Sequence, residues 1–102
     1  MKSNLKRAAA AAILMLCFSK SAPAGEFEDA AAAHNKGDFA TALRLFYPLA
    51  ESGSAAAQTN LGIIYRNGQS VPQDYAKARK WFRLAADQGM AVAQYSLGNM
   101  YA

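Results

Sequence analysis

The chain has little of what catalytic and metal centres are made from. It holds one cysteine, Cys17, and one histidine, His34, in 102 residues. A His/Cys metal site therefore lacks ligands. No H-E-x-x-H, glycine-rich phosphate loop or G-x-S-x-G occurs, so the usual hydrolase and nucleotide chemistries have no motif to rest on. The S-x-x-K that does occur, Ser3-Asn4-Leu5-Lys6, lies at the extreme N-terminus. Neither enzymatic activity nor a cofactor nor a metal is expected. Runs of β-branched residues and strict apolar/polar alternation are missing as well, and their absence speaks against a sheet.

What is present begins with a segment of different character. Lys2, Lys6 and Arg7 make a basic start, Ala8–Phe18 is an uncharged apolar run, and Ser21-Ala22-Pro23-Ala24 ends in an A-x-A pattern before Gly25. This layout predicts a secretory signal peptide over residues 1–24, cleaved after Ala24. The apolar run falls short of the ~20 residues a bilayer span requires. Membrane contact is therefore expected only through the signal peptide during export, and the localisation is expected to be periplasmic or secreted. Cys17 sits inside the apolar run behind Leu16, where a lipoprotein signal would need a small residue. The chain's net charge of +4 resides in the same segment, since residues 25–102 carry seven basic and seven acidic side chains. The basic pI thus reports targeting and gives no support to nucleic-acid binding. Residues 25–102 contain no cysteine, so this domain must be stabilised by packing.

The remainder copies itself. Laid over Asp74–Ala102 at a shift of 36 residues, Asp38–Arg66 is identical at 12 of 29 positions, among them Asp38/Asp74, Phe46/Phe82, Gly53/Gly89, Leu61/Leu97, Gly62/Gly98 and Tyr65/Tyr101. The matched residues are small, apolar or turn-forming, the types that packing demands. A period of this length signals stacked supersecondary units, and such stacks mostly bind other proteins.

The pattern within each unit is helical. Asp74 suits a helix N-cap, because its carboxylate can accept from free backbone N–H groups. Ala78, Trp81, Phe82 and Ala85 then fall on one stripe, and Gly89 can take the left-handed conformation that stops a helix. Asp38 to Gly53 repeats this with Ala42, Leu45, Phe46 and Leu49; Pro48 predicts a bend or a shortened last turn. Companion helices are expected over Ala55–Arg66 and Ala91–Ala102, with Gly62 and Gly98 allowing a neighbour to come close. Asn67-Gly68 closes the first of these, and Val71 in the connector is expected to tuck inward. Matching Ala30, Ala31, His34 and Gly37 to Leu61, Gly62, Tyr65 and Gly68 predicts an opening helix near Glu26–Lys36 with a connector five residues shorter. Five helices result, two hairpins plus one unpaired helix.

The run Ala57-Gln58-x-x-Leu61-Gly62-x-x-Tyr65-x-x-Gly68-x-x-Val71-Pro72-x-Asp74-Tyr75-x-Lys77-Ala78-x-x-Trp81-Phe82-x-x-Ala85-Ala86-x-x-Gly89 resembles a Sel1-like repeat, a relative of tetratricopeptide repeats with a longer connector in each hairpin. Pro48-Leu49-Ala50-Glu51-x-Gly53 is similar to the end of another such repeat. The resemblance covers Glu26–Ala102, with His34 in the tyrosine seat and Ala30 in the leucine seat as departures. It implies an all-α fold, an α-solenoid of about two and a half repeats over residues 25–102. It also implies an adaptor or scaffold that mediates protein–protein contact. Some cysteine-rich relatives are linked to penicillin binding, but they resemble disulfide-stapled repeats, which residues 25–102 cannot form.

The expected partner is a protein or peptide held on the concave face. On the first helix of each hairpin, the positions about 100° from the core contacts are Glu28, Ala32 and Asn35, then Thr59, Ile63 and Arg66, then Tyr95, Asn99 and Ala102. Glu28, Asn35, Thr59, Ile63, Arg66, Tyr95 and Asn99 form the candidate groove. His34 reads as a core or rim residue, or else as a pH-sensitive contact. Lys77, Arg79, Lys80 and Arg83 read as a solvated outer face, with Arg83 and Asp87 spaced for an i, i+4 pair, or as a surface for an acidic partner. Leu97, Met100 and Tyr101 lie on the last helix without a following helix to cover them, which predicts self-association, partner binding there, or a place within a longer array. In that last case the chain would be a structural section of the array with no groove of its own in use.

Overall fold

The computed structural model describes residues 24–101; the expected signal peptide therefore lies outside the described residues, apart from its last position. The described chain forms five helices: α1 (Ala24–Asn35), α2 (Phe39–Glu51), α3 (Ala55–Asn67), α4 (Tyr75–Asp87) and α5 (Ala91–Tyr101). Each packs on the next in sequence, and no other pair of the described helices makes extensive contact. This is the α-solenoid arrangement expected from the repeat.

The repeat works first at the helix starts. Asp38 Oδ1 accepts from Thr41 N–H at 3.3 Å and Asp74 Oδ1 from Lys77 N–H at 3.0 Å, so the same aspartate caps α2 and α4. Each satisfies one of the backbone donors that the first turn leaves free. Ser54 does this for α3, accepting from Ala57 N–H at 3.1 Å. At the other end of α3, Gly68 adopts φ 68°, ψ 43° and returns its N–H to the Ile64 carbonyl. Both the left-handed backbone and the nearby Gln73 main chain, 3.2 Å from where a Cβ would stand, favour glycine here. Helix α2 runs through Pro48 to Glu51, ending one residue before Ser52, whose N–H and hydroxyl both return to the Pro48 carbonyl.

The buried side chains fall into two adjoining clusters. One joins Ala30 and Ala33 of α1, Ala42, Phe46, Leu49 and Ala50 of α2, Ala57, Leu61 and Ile64 of α3, and Trp81 of α4. Val71 of the connector packs against it, as expected. The other joins Ala78, Phe82 and Ala85 of α4 to Ala93 of α5, with Ile63 and Tyr65 of α3 beside them. Consecutive residues Trp81 and Phe82 thus serve different cores, and α4 bridges the two. Trp81 meets Tyr47 edge-on at 5.7 Å, a core position as the sequence suggested.

Gly62 shows why the close approach needs glycine. A Cβ built there would stand 2.6 Å from Phe82 Cε1, inside van der Waals contact, and Phe82 is fully buried. Gly98, its repeat counterpart, has nothing within 4 Å of a built Cβ. The expectation of a close neighbour at Gly98 is corrected: α4 lies on the other side of α5, and no described helix covers this one.

A hydrogen bond also recurs with the repeat. Gln58 Nε2 donates to the Ala50 carbonyl at 3.0 Å, and Gln94 Nε2 to the Ala86 carbonyl at 3.2 Å. Each glutamine ties its helix to the end of the preceding one. Gln88 adds a second tie in the earlier unit, donating to the carbonyl of Gly53 and to Gln58 Oε1.

Candidate functional site

An open cavity of about 460 Å³ lies where the C-terminal ends of α3 and α5 meet the N-terminal end of α4. Arg66 and Asn67 come from α3 and Gln73 from the connector. Tyr75 and Arg79, four apart on one face of α4, form a second wall, and Asn99 and Met100 of α5 a third.

The connector holds this shape. Asp74 N–H donates to the Tyr65 carbonyl at 2.9 Å, and Gln73 Nε2 donates to the Arg66 carbonyl at 2.8 Å. The Ile64 carbonyl receives Gly68 and Gln69 N–H. Carbonyls that a helix C-terminus leaves free are thereby occupied. Gln73 Nε2 also donates to the Tyr75 hydroxyl at 3.1 Å. The Arg66 guanidinium lies 5.6 Å from the centroid of the Phe82 ring, and its Nε donates to Asn67 Oδ1 at 3.3 Å. Stacking and this bond orient the arginine fork.

Two of the seven groove residues expected from the sequence, Arg66 and Asn99, meet in this cavity. Tyr95 lies one turn earlier on α5 and is 72 % exposed. Glu28 and Asn35 are exposed on α1 and line no part of the cavity. Thr59 is a correction: it is only 6 % exposed, and its hydroxyl returns to the Ala55 carbonyl at 2.9 Å. Ile63 is half-buried against the second core. A helix flanked by α2 and α4 has more of its perimeter covered than a single core stripe allows for, and α3 is such a helix. Ala102 lies outside the described residues.

Asn67, Gln73, Tyr75, Arg79 and Met100 were not among the expected groove residues. Asn67 and Gln73 read as turn residues, and Arg79 as part of a solvated basic face. That face is more varied in the structure. Lys77 Nζ stands 5.2 Å from the Tyr65 ring centroid and Lys80 Nζ 5.8 Å from that of Trp81. Arg83 donates to the Tyr101 hydroxyl, where the sequence had suggested a pair with Asp87. His34 is a rim residue: half-buried, edge-on to Phe39 at 5.0 Å, with Nε2 3.3 Å from Gln69 Oε1.

Among the described residues, no group of three or more His, Cys, Asp or Glu side chains is placed to hold a metal ion. No described helix is long and apolar enough to cross a membrane. The family model described as the Sel1 repeat matches residues 55–90 and again residues 91–102. Residues 55–102 are therefore similar to Sel1 repeats, which generally mediate protein–protein interaction. The match stops short of α1 and α2, where Ala30 and His34 replace the leucine and tyrosine and the connector is short. No curated protein matches the chain.

Proposed function

We propose that this chain, similar to Sel1 repeats at residues 55–90 and 91–102, is an exported, non-catalytic adaptor that holds a protein or peptide partner at the cavity between α3, α4 and α5. The observation that carries the proposal is the convergence of Arg66 and Asn99 on one cavity, with Tyr95 exposed beside it. Two helices related by the repeat thus present polar and aromatic side chains on the same side, a surface of the kind helical stacks use for recognition. Residues 25–102 are the binding domain, and residues 1–24 direct export to the periplasm or beyond the cell.

A photo-crosslinking side chain at Asn99 should join the full-length protein to a partner in its native extract, and Arg66→Ala with Tyr95→Ala should remove that crosslink. Equal capture from Arg44, an exposed position on α2, would contradict the assignment. Export is checked separately: N-terminal sequencing of the exported protein should begin at Gly25, and a start at Met1 would refute cleavage. A second reading, in which the repeats only extend a larger array, is favoured by the uncovered side of α5 at Gly98. On that reading Asn99 crosslinks to a helix packed along α5, and the double substitution leaves the crosslink intact.

A further inference from the structure

We infer that the partner segment seated in this cavity is an extended acidic peptide, one of whose side-chain carboxylates is gripped by Arg66 and Arg79. The inference rests on the proposed function and adds the chemistry of the partner to it.

Among the described residues, the polar ones lining the cavity are two arginines, the amide residues Asn67, Gln73 and Asn99, and Tyr75. Among the described residues, no carboxylate lines the cavity. The nearest acidic residue in sequence, Asp74, is committed to capping α4 through Lys77 N–H. Arg66 is already positioned by Phe82 and Asn67 on its inner side, so its terminal N–H groups need little ordering when a ligand arrives. A planar guanidinium matches a carboxylate with two parallel hydrogen bonds, the stronger class of charge-assisted contact. The C-terminus of α3 would oppose an anion if its carbonyls were free, and those of Ile64, Tyr65 and Arg66 are occupied.

Charge along the stack points the same way. Residues 55–101 contain five basic side chains (Arg66, Lys77, Arg79, Lys80, Arg83) and two acidic ones (Asp74, Asp87), a net +3. Residues 25–54 contain two basic (Lys36, Arg44) and five acidic (Glu26, Glu28, Asp29, Asp38, Glu51), a net −3. The neutral total conceals a strongly polarised module, and the cavity lies in its positive part. An acidic chain is drawn to that end and kept from the other. A peptide is favoured over a nucleic acid because the cavity offers separate guanidinium and amide contacts and little flat aromatic surface for bases. Among the described residues that line it, Tyr75 is the only aromatic one, and base stacking is a main source of single-strand affinity.

The test is an NMR titration of the isotope-labelled full chain with a capped decapeptide of alternating Glu and Ser, at low and moderate salt. Shifts should concentrate at Asn67, Gln73 and Asn99, and affinity should fall with salt. The Gln/Ser isostere should bind at least tenfold more weakly. Arg66→Gln with Arg79→Gln should weaken the Glu peptide at least tenfold, while Lys80→Gln leaves it within about twofold. Freeing the peptide's C-terminal carboxylate should change little; a gain as large as that from the glutamates would show that a chain terminus is the ligand and overturn the side-chain assignment. Equal binding of the isostere, no binding, tighter binding of a ten-nucleotide oligouridylate at these residues, or the same shifts produced by raising protein concentration alone would each overturn it. Capture of a neutral partner at Asn99, with no acidic preference, would leave the proposed function standing and remove only this inference.

Discussion

Leu61, Gly62 and Tyr65 of α3 recur as Leu97, Gly98 and Tyr101 of α5, and the two sets live in different surroundings. Leu61 is fully buried and Gly62 lies against the Phe82 ring. Leu97 is half-buried, Gly98 is open, and Tyr101 is 61 % exposed with its hydroxyl bonded to Arg83. Gln58 is buried while Gln94, making the equivalent bond, is exposed. Residue identity sets what each position can accept; the neighbouring helix decides how much that is worth. Helix α3 has α2 and α4 on either side, whereas among the described helices α5 packs extensively only on α4. The same motif therefore stabilises the fold in one unit and presents surface in the next.

The largest effect is expected at Phe82. It fills the notch over Gly62 and is fully buried, so Phe82→Ala should cost about 3–5 kcal/mol. Leu97→Ala, at a half-buried site, should cost about 1 kcal/mol, well under the range for fully buried leucines. Urea unfolding followed by circular dichroism measures both, and similar midpoints for the two variants would show that α5 is as well covered as α3.

A smaller contrast separates the glutamines. Gln58→Ala removes the side-chain bond to the buried Ala50 carbonyl, which keeps the Gly53 N–H, and one of the two bonds of Gln88, an effect of about 1–1.5 kcal/mol. Gln94→Ala should stay within about 0.5 kcal/mol, since water can replace an exposed donor. Thermal melts of the two variants check this, and equal shifts would mean that the repeated bond, not its burial, sets the effect.

Much of the fold is legible in the sequence because it depends on local rules. Asp38 and Asp74 announce helix starts through cap chemistry, Gly68 announces a stop, and Ala78, Trp81, Phe82 and Ala85 mark a buried stripe. Gly62 is legible as a point of close approach because its spacing to Leu61 and Tyr65 puts it on the packed face. The candidate site is legible only in part. Arg66 and Asn99 follow from periodicity, but Gln73 and Tyr75 reach the cavity through the path of the connector, which no periodic pattern encodes. Arg79 looks solvated in a basic run until the ends of α3 and α5 are placed beside it. Helical spacing alone puts Thr59 on an open face because it describes one helix at a time, and a helix between two neighbours is covered on more than one side. The identity of Gly62 and Gly98 likewise hides their opposite environments.

The most direct test of that difference is to place leucine at each glycine in turn and measure unfolding free energies. Gly62→Leu drives atoms into a buried ring and should destabilise the chain by about 1–3 kcal/mol. Gly98→Leu meets open space on a helix and should stabilise it by about 0.5–1 kcal/mol, the difference in helix propensity between glycine and leucine. Opposite signs are the result this account requires. Destabilisation of equal size at both positions would show that a helix already covers Gly98, and the distinction between the packed unit and the open one would be wrong.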